Sequence, residues 1–153
     1  MMRIYYLLVL CVTLFPLQGF ALEPSEKMLF EKNSLYQYIQ VIEDTAKKER
    51  YVRNQKKEYT QGGIYVNAPE KLLFEFTRMG FVSLAFLDRD PKDVLFVGLG
   101  AGAMPRYFTG RYPDAIIDIA EIDPEMVTVA QKYFRATVTM SGSISAISIT
   151  VSG

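Results

Sequence analysis

The chain has 153 residues, half of them hydrophobic, and its 17 basic and 17 acidic side chains give a formal net charge of zero. This length holds one domain, or one small domain and a fragment of another. The balanced charge gives no reason to expect nucleic acid or an anionic membrane surface as a partner. With no histidine and a single cysteine, the chain lacks the usual residues of a zinc site or a catalytic triad. We therefore predict no metal.

The first 21 residues have the pattern of an export signal. Arg3 supplies a short basic start, an apolar run follows at residues 4–15, and small residues lie just before and at Ala21. The run is short for a membrane-spanning helix. We predict an exported chain, periplasmic or extracellular, with a membrane anchor as the alternative if the segment is not cleaved. Cleavage after Ala21 would leave no cysteine for a disulfide.

Short segments rich in strand-forming residues predict a small antiparallel β element over residues 22–66. The segments predicted as strands are residues 34–44, 49–59 and 64–66. A charged stretch with Pro24, residues 22–33, is predicted as a loop before them. Gly62-Gly63 is predicted as a turn before the last strand.

Residues 67–87 have the clearest helical pattern in the first half of the chain. Asn67 suits an N-cap, Pro69 suits the first turn, and Glu70 completes a capping box. Apolar residues then recur at helical spacing and are expected to face the core. We predict a helix here, as the first element of a second unit over residues 67–134.

The sequence KDVLFVGLGAGAMPRYFTGRYPDAIIDIAEIDPEMVTVAQKYF organises the chain around it. It predicts an apolar strand at residues 93–97, a glycine turn, a helix, a second apolar strand at residues 115–122, and a helix from Pro124. This order is the front half of a nucleoside-binding domain. We predict an α/β fold, in which a small N-terminal antiparallel β element precedes the front half of a Rossmann domain.

The residue types in this unit predict an adenosine-type ligand. Gly98, Gly100 and Gly102 allow a sharp turn and a close approach to a ligand, and the next helix directs its N-terminal amides there. Glu121 follows at the roughly 20-residue spacing at which an acid binds ribose hydroxyls. Asp123 lies near this pocket and is expected to cap the next helix. The alternative is a plain tight turn, with Glu121 as a solvated strand end.

The glycine spacing fits a nicotinamide dinucleotide and S-adenosylmethionine equally well, but the surrounding residues resemble one family. VLFVGLGAGAMPRYF and YPDAIIDIAEIDPEMVTVAQKYF resemble the spermidine synthase (polyamine aminopropyltransferase) family, in particular its spermidine-synthase-like branch. The resemblance covers most of residues 34–134 and implies an S-adenosylmethionine-type Rossmann fold. It implies that Glu121 binds the ribose and that Gln37 touches the nucleoside. Gln61 is shared with the family without an assigned role.

The chain departs from the family's pattern around the amine. Ala101 stands where the family has an amine-binding aspartate, and Leu73, Phe74 and Glu75 stand near the positions of a Tyr-His-Glu set. Two polar positions are thus apolar, although a polyamine needs carboxylates. These differences put putrescine in doubt as the acceptor.

The end of the chain also departs from the family's pattern. Residues 135–153 contain no acid and are predicted to form a single strand, whereas the family continues with an adenine-reading Asp-Gly and a proton-accepting aspartate. We predict a truncated chain that lacks aminopropyl transfer from decarboxylated S-adenosylmethionine to an amine. The alternatives are a non-catalytic remnant and a nucleoside-binding module like an S-adenosylmethionine-dependent methyltransferase. The expected partners are a small nucleoside, an amine and a second copy of the chain.

Overall fold

A computed structural model describes residues 23–54, 59–137, 139–141 and 147–150. The predicted export signal, residues 1–21, lies outside the described residues. None of the helices in the described part of the chain is long and apolar enough to cross a bilayer.

The first sheet has five antiparallel strands that follow one another in chain order. They are β1 Glu26–Asn33, β2 Tyr38–Asp44, β3 Glu49–Arg53, β4 Thr60–Tyr65 and β5 Ala68–Leu72. The predicted N-terminal antiparallel element is therefore confirmed. The strand predicted at residues 34–44 begins later, because Ser34 and Gln37 close a turn through a 2.8 Å bond from the Ser34 amide to the Gln37 carbonyl.

The loop predicted for residues 22–33 is wrong, because β1 occupies most of this segment. Met28 lies opposite Ile42, and Phe30 lies opposite Val41 on β2. Leu29 and Phe30 pack against the hydrophobic core, while the charged neighbours Lys27, Glu31 and Lys32 are exposed. Few residues of β1 are apolar, but the packing of Leu29 and Phe30 on the core is enough to hold this edge strand on the sheet.

The turn predicted at Gly62-Gly63 is also wrong, because both glycines are buried inside β4. A Cβ on Gly63 would lie 2.6 Å from the Arg50 carbonyl oxygen and 2.8 Å from the Tyr51 Cβ. A Cβ on Gly62 would lie 3.3 Å from the Ala101 Cβ. These glycines allow neighbouring segments to pack closely, which is one reason for glycine inside a strand.

The long helix predicted over residues 67–87 is wrong. This segment contains β5, a short helix α1 (Glu75–Met79) and a 3₁₀ helix (Val82–Phe86). Leu72 pairs with Ile64 on β4, so the sheet takes the residues that the capping pattern assigned to a first helical turn. The expected core face is present only in part, since Leu72 and Leu73 are buried but Phe76 and Met79 are exposed.

The second sheet has the strand order β6-β7-β9-β8. Its strands are β6 Asp93–Val97, β7 Ile116–Glu121, β8 Thr139–Ser141 and β9 Ile147–Thr150, with helices α2 Ala103–Arg111 and α3 Pro124–Phe134. Parallel pairing of β6 and β7 confirms the predicted strand–turn–helix–strand–helix order and the α/β class. The final residues contribute two short strands rather than one, and β9 lies antiparallel to β7.

Helix α3 joins the two sheets into one body. Met126, Val129 and Phe134 are buried with residues of the first sheet, whereas Val127 and Ala130 are buried with residues of the second. Polar contacts reinforce this packing where α3 ends. The Arg50 guanidinium on β3 donates to the Tyr133 carbonyl at 2.6 Å, and Arg106 on α2 donates to the Phe134 carbonyl. The first sheet is thereby fixed beside the carboxyl ends of β6 and β7.

Candidate functional site

The glycine turn after β6 has three residues in the left-handed region. The φ angles are 94° for Gly98, 54° for Gly100 and 68° for Gly102. Residues other than glycine rarely adopt such angles. Among the described residues other than the chain neighbours, no atom lies within 4 Å of a Cβ built on Gly98, and a Cβ built on Gly100 would lie 3.9 Å from the Gln61 carbonyl oxygen. Gly98 and Gly100 therefore border open space that a ligand could fill.

Gly102 has a different environment. It is the N-cap residue of α2, and its amide donates to the Leu99 carbonyl at 2.9 Å. A Cβ there would lie 3.0 Å from the Ala136 Cβ. A glycine is needed at this position for the backbone angle and for close packing. Gly102 therefore supports the turn and does not border free space.

Glu121 is the residue that connects the glycine turn to the end of β7. Its Oε2 accepts a 2.8 Å hydrogen bond from the Leu99 amide, and its Oε1 accepts a 2.9 Å hydrogen bond from the Asp123 amide. The residue is only 7% exposed, so the solvated strand end considered as an alternative is wrong. The carboxylate is held in one orientation at the junction of two loops.

This arrangement leaves the Glu121 carboxylate with acceptor capacity. A carboxylate offers about four lone-pair positions, and each oxygen uses one for a backbone amide. One further position on each oxygen remains, which is what the two hydroxyls of a ribose require. The same bonds mean that Glu121 also has a structural role.

Asp123 caps α3, as the sequence predicts. Its Oδ1 accepts from the Glu125 amide at 3.0 Å. Its Oδ2 accepts from the Ser34 hydroxyl at 2.6 Å and from Gln37 Nε2 at 3.4 Å. The residue is 1% exposed. Asp123 is thus positioned to orient Gln37, and its own oxygens are already engaged.

Gln37 lies in the turn before β2 rather than inside the strand. Its Oε1 accepts a 3.0 Å hydrogen bond from Gln61 Nε2, and Gln61 is also the residue whose carbonyl faces Gly100. The structure therefore brings Gln37 and Gln61 of the first sheet to the glycine turn and to Asp123. The predicted residues of the nucleoside site are grouped at the carboxyl ends of β6 and β7.

Sequence reasoning missed Ser34. Its hydroxyl oxygen accepts from the Tyr36 amide at 3.1 Å and the Gln37 amide at 3.0 Å, while its hydrogen is available to Asp123. A serine that precedes a polar residue by a few positions is a common turn signal. That signal was present, but the contact with Asp123 depends on packing between distant segments.

The positions that the family resemblance relates to an amine carry little negative charge in this structure. Ala101 is buried against Gly62, with 3.3 Å between its Cβ and a Cβ built on that glycine. Leu73 is buried, Phe74 stacks on Phe76 at 5.6 Å, and Glu75 pairs with Arg78 at 2.7 Å. In the part of the chain that the structure describes, no group of three or more Cys, Asp or Glu residues is placed to hold a metal ion.

Known proteins similar to this chain include polyamine aminopropyltransferases. The polyamine aminopropyltransferase of Vibrio vulnificus is 33% identical over 108 residues, which cover 70% of this chain and 36% of that protein. The polyamine aminopropyltransferase of Chromobacterium violaceum is 31% identical over 80 residues, which cover 51% of this chain and 30% of that protein. The chain thus spans about a third of the length of these two relatives. No family model matches the chain.

Two further similarities are to a solved structure and to a methyltransferase. A crystal structure of a probable spermidine synthase from Corynebacterium glutamicum superposes with a TM-score of 0.58 and 23% identity, covering 69% of this chain and 39% of that one. At this identity the match supports the fold. The human eEF1A lysine and N-terminal methyltransferase is 43% identical over 44 residues, which cover 29% of this chain and 6% of that protein.

Proposed function

We propose that this chain, which is spermidine-synthase-like, binds the adenosine part of S-adenosylmethionine or its decarboxylated form where β6 and β7 end. The observation that carries the proposal is the Glu121 carboxylate. Its two oxygens accept from the Leu99 and Asp123 amides, and the adjoining turn has open space over Gly98. A fixed acceptor pair beside a glycine turn is the arrangement that binds a ribose.

Each residue of the site has a distinct part in this proposal. Glu121 accepts the ribose hydroxyls, and Gly98 and Gly100 let the ligand approach the backbone. Gln37 contacts the nucleoside through its side-chain amide, which Gln61 orients from one side. Asp123 orients Gln37 from the other side and is a positioning residue.

Aminopropyl transfer to an amine is the reaction we propose for a complete site of this kind. The amine nitrogen attacks the carbon of the aminopropyl group that is bonded to the sulfonium sulfur. That carbon–sulfur bond breaks and methylthioadenosine leaves. A base then takes the proton from the new ammonium. Positioning and a base are the main requirements. Asp123 is a poor base, because its oxygens already accept from Ser34, Gln37 and the Glu125 amide. We therefore propose that these 153 residues bind the nucleoside without catalysing transfer.

Titration of the purified chain with 5′-methylthioadenosine tests the binding site. Glu121→Gln should weaken binding by about 1.5–3 kcal/mol, the size of a hydrogen bond to a charged group, and Gln37→Ala should weaken it less. Gln40→Ala is the matched control, because Gln40 bonds to Glu31 and Tyr38 on the first sheet. Thermal melts of each variant separate loss of binding from loss of fold. Wild-type affinity in a folded Glu121→Gln protein would disprove the ribose role.

An activity assay tests the second part of the proposal. Decarboxylated S-adenosylmethionine and putrescine are incubated with the chain, and methylthioadenosine is measured against a heat-killed control. We expect no product above the control, because general acid–base assistance contributes about 10²–10⁴-fold and Asp123, the acid considered as a base, has both oxygens engaged. Turnover that disappears in Glu121→Gln would show that these residues include a base, and Asp123 would be the first one to replace.

A methyltransferase-like module is the second candidate, favoured by the 43% identity over 44 residues with the human methyltransferase. Such a module would bind S-adenosylmethionine, which carries a carboxylate, in preference to the decarboxylated form. Parallel titrations with the two compounds distinguish these candidates. Tighter binding of S-adenosylmethionine would favour the methyltransferase-like candidate, and tighter binding of the decarboxylated compound would favour the aminopropyltransferase-like one.

A further inference from the structure

A cleft of about 800 Å³ lies between the turn after β4, strand β5 and helices α1 and α2. Its volume is within the range of small-molecule sites. None of the nucleoside-site residues lines it, so it is a separate feature of the molecule. Its walls include two tyrosines, Tyr65 at the end of β4 and Tyr107 on α2.

The cleft is positively charged. Lys48, Lys71 and Arg78 line it, against the carboxylate of Glu70. Lys48 and Lys71 make no ion pair within the described part of the chain, and both are exposed. Arg78 pairs with Glu75 at 2.7 Å, but both side chains are more than half exposed, and such surface pairs are weak. The three cations therefore outnumber the two nearby carboxylates, Glu70 and Glu75, and the cleft carries a net positive charge.

Lys48 has an unusual backbone for a lysine. It lies in the turn between β2 and β3 with a φ of 59°, a region where a residue with a Cβ is disfavoured by roughly 1–2 kcal/mol. Its carbonyl accepts a 2.8 Å bond from the Val66 amide, which holds this turn beside the cleft. Glycine would adopt this φ angle without strain. A lysine at this position therefore indicates a function for its side-chain charge.

We propose that this cleft binds a small polyanion, a molecule bearing several phosphate or carboxylate groups. The ammonium groups of Lys48 and Lys71 and the guanidinium of Arg78 provide the charge, and the tyrosine hydroxyls provide further donors. The net positive charge disfavours a polyamine in this cleft. The proposal is independent of the nucleoside site, and either one can fail without the other.

Calorimetric titration of the chain at low salt with inorganic pyrophosphate, and separately with citrate, tests the proposal. We expect saturable binding of at least one of them, and which of the two binds more tightly distinguishes phosphate from carboxylate chemistry. Lys71→Glu should weaken binding at least tenfold, and Lys48→Gly should weaken it severalfold while relieving the backbone strain. Affinity should fall as salt is added, because exposed charges are screened.

Arg89→Glu is the matched control, since Arg89 is exposed in the loop before β6 and does not line the cleft. Binding by this variant should equal that of the wild type. The proposal is overturned if neither pyrophosphate nor citrate binds saturably. It is also overturned if Arg89→Glu loses as much affinity as Lys71→Glu, which would indicate diffuse surface charge, or if methylthioadenosine displaces the polyanion.

Discussion

Two exposed glycines differ in their backbone angles, and single substitutions can measure what that difference contributes to stability. Gly98 has a φ of 94°, and no atom of the described residues outside its chain neighbours lies within 4 Å of a built Cβ, so without a ligand the backbone angle is what requires glycine there. Gly110, in the last turn of α2, has equally open space and no positive φ. The two positions therefore form a matched pair.

Gly98→Ala should lower the free energy of unfolding by about 1–3 kcal/mol, the strain of a residue in a sparsely populated backbone region. Gly110→Ala should raise it by about 0.5–1 kcal/mol, because alanine is favoured over glycine in a helix. Urea denaturation of the two variants and the wild type measures both changes. Equal effects of the two substitutions would contradict this account of the turn.

The site residues illustrate how far residue types in a sequence predict geometry. The glycines, Glu121 and Asp123 were predictable because local chain order places them at adjacent strand ends. The bond from Ser34 to Asp123, at 2.6 Å, joins residues far apart in the sequence. Nothing local to Ser34 specifies that partner, because the contact forms only when the first sheet packs on α3.

At the level of elements, a buried polar cluster connects β1 with β3 across β2. Arg53 donates to Glu26 Oε1 at 2.6 Å, and the Tyr51 hydroxyl donates to the same carboxylate. Burial opposes ionisation of Glu26, but the hydrogen bonds from Tyr51 and Arg53 outweigh it, and the pKa of Glu26 is lowered from its ordinary 4.5. The native state therefore favours the ionised carboxylate.

This cluster predicts an acid-sensitive contribution to stability. Because the native pKa is the lower one, the contribution is fully present above the unfolded pKa of about 4.5 and is lost as the pH falls through the native value. The unfolding free energy of the wild type should fall more steeply below this pH than that of Glu26→Gln. Denaturation curves between pH 3 and 7 (roughly the window set by this linkage) measure the difference. Parallel curves would show that Glu26 does not contribute.

Elements of the first sheet were harder to predict than those of the second. The capping residues Asn67, Pro69 and Glu70 favour a helix locally, yet pairing of β5 with β4 determines the structure there. Propensity is a weak signal that tertiary contacts override. Strands β6 and β7, with helix α3, were predictable because the apolar runs and the glycine punctuation agree in that segment. Local and global preferences conflict in the first case and coincide in the second.

For the whole molecule, the untested feature with the largest consequence is the N-terminal segment. We predict that expression in a bacterial host exports the chain and that cleavage follows Ala21, on the basic start and apolar run of residues 1–21. N-terminal sequencing of protein from the cell envelope should begin at Leu22. Replacing residues 1–21 with a single Met is the control and should leave the chain in the cytoplasm. Intact Met1 in the soluble cytoplasmic fraction would contradict the prediction.

The outer face of the second sheet exposes large apolar side chains. Leu95 is 65% exposed and Val97 is 87% exposed on β6, which is an edge strand among the four described strands of that sheet. Ile116 on β7 is exposed as well. Exposed apolar patches and unpaired strand edges promote association.

We therefore predict concentration-dependent self-association of the purified chain through this face. The double substitution Leu95→Lys and Val97→Lys should shift the chain toward the monomer, because a charged edge resists pairing. Leu35→Lys is the control, since Leu35 is 95% exposed and lies in the turn between β1 and β2 rather than on a strand of this sheet. Sedimentation velocity over a range of concentrations measures the distribution. A monomeric wild type, or equal dissociation by Leu35→Lys, would show that β6 does not mediate association.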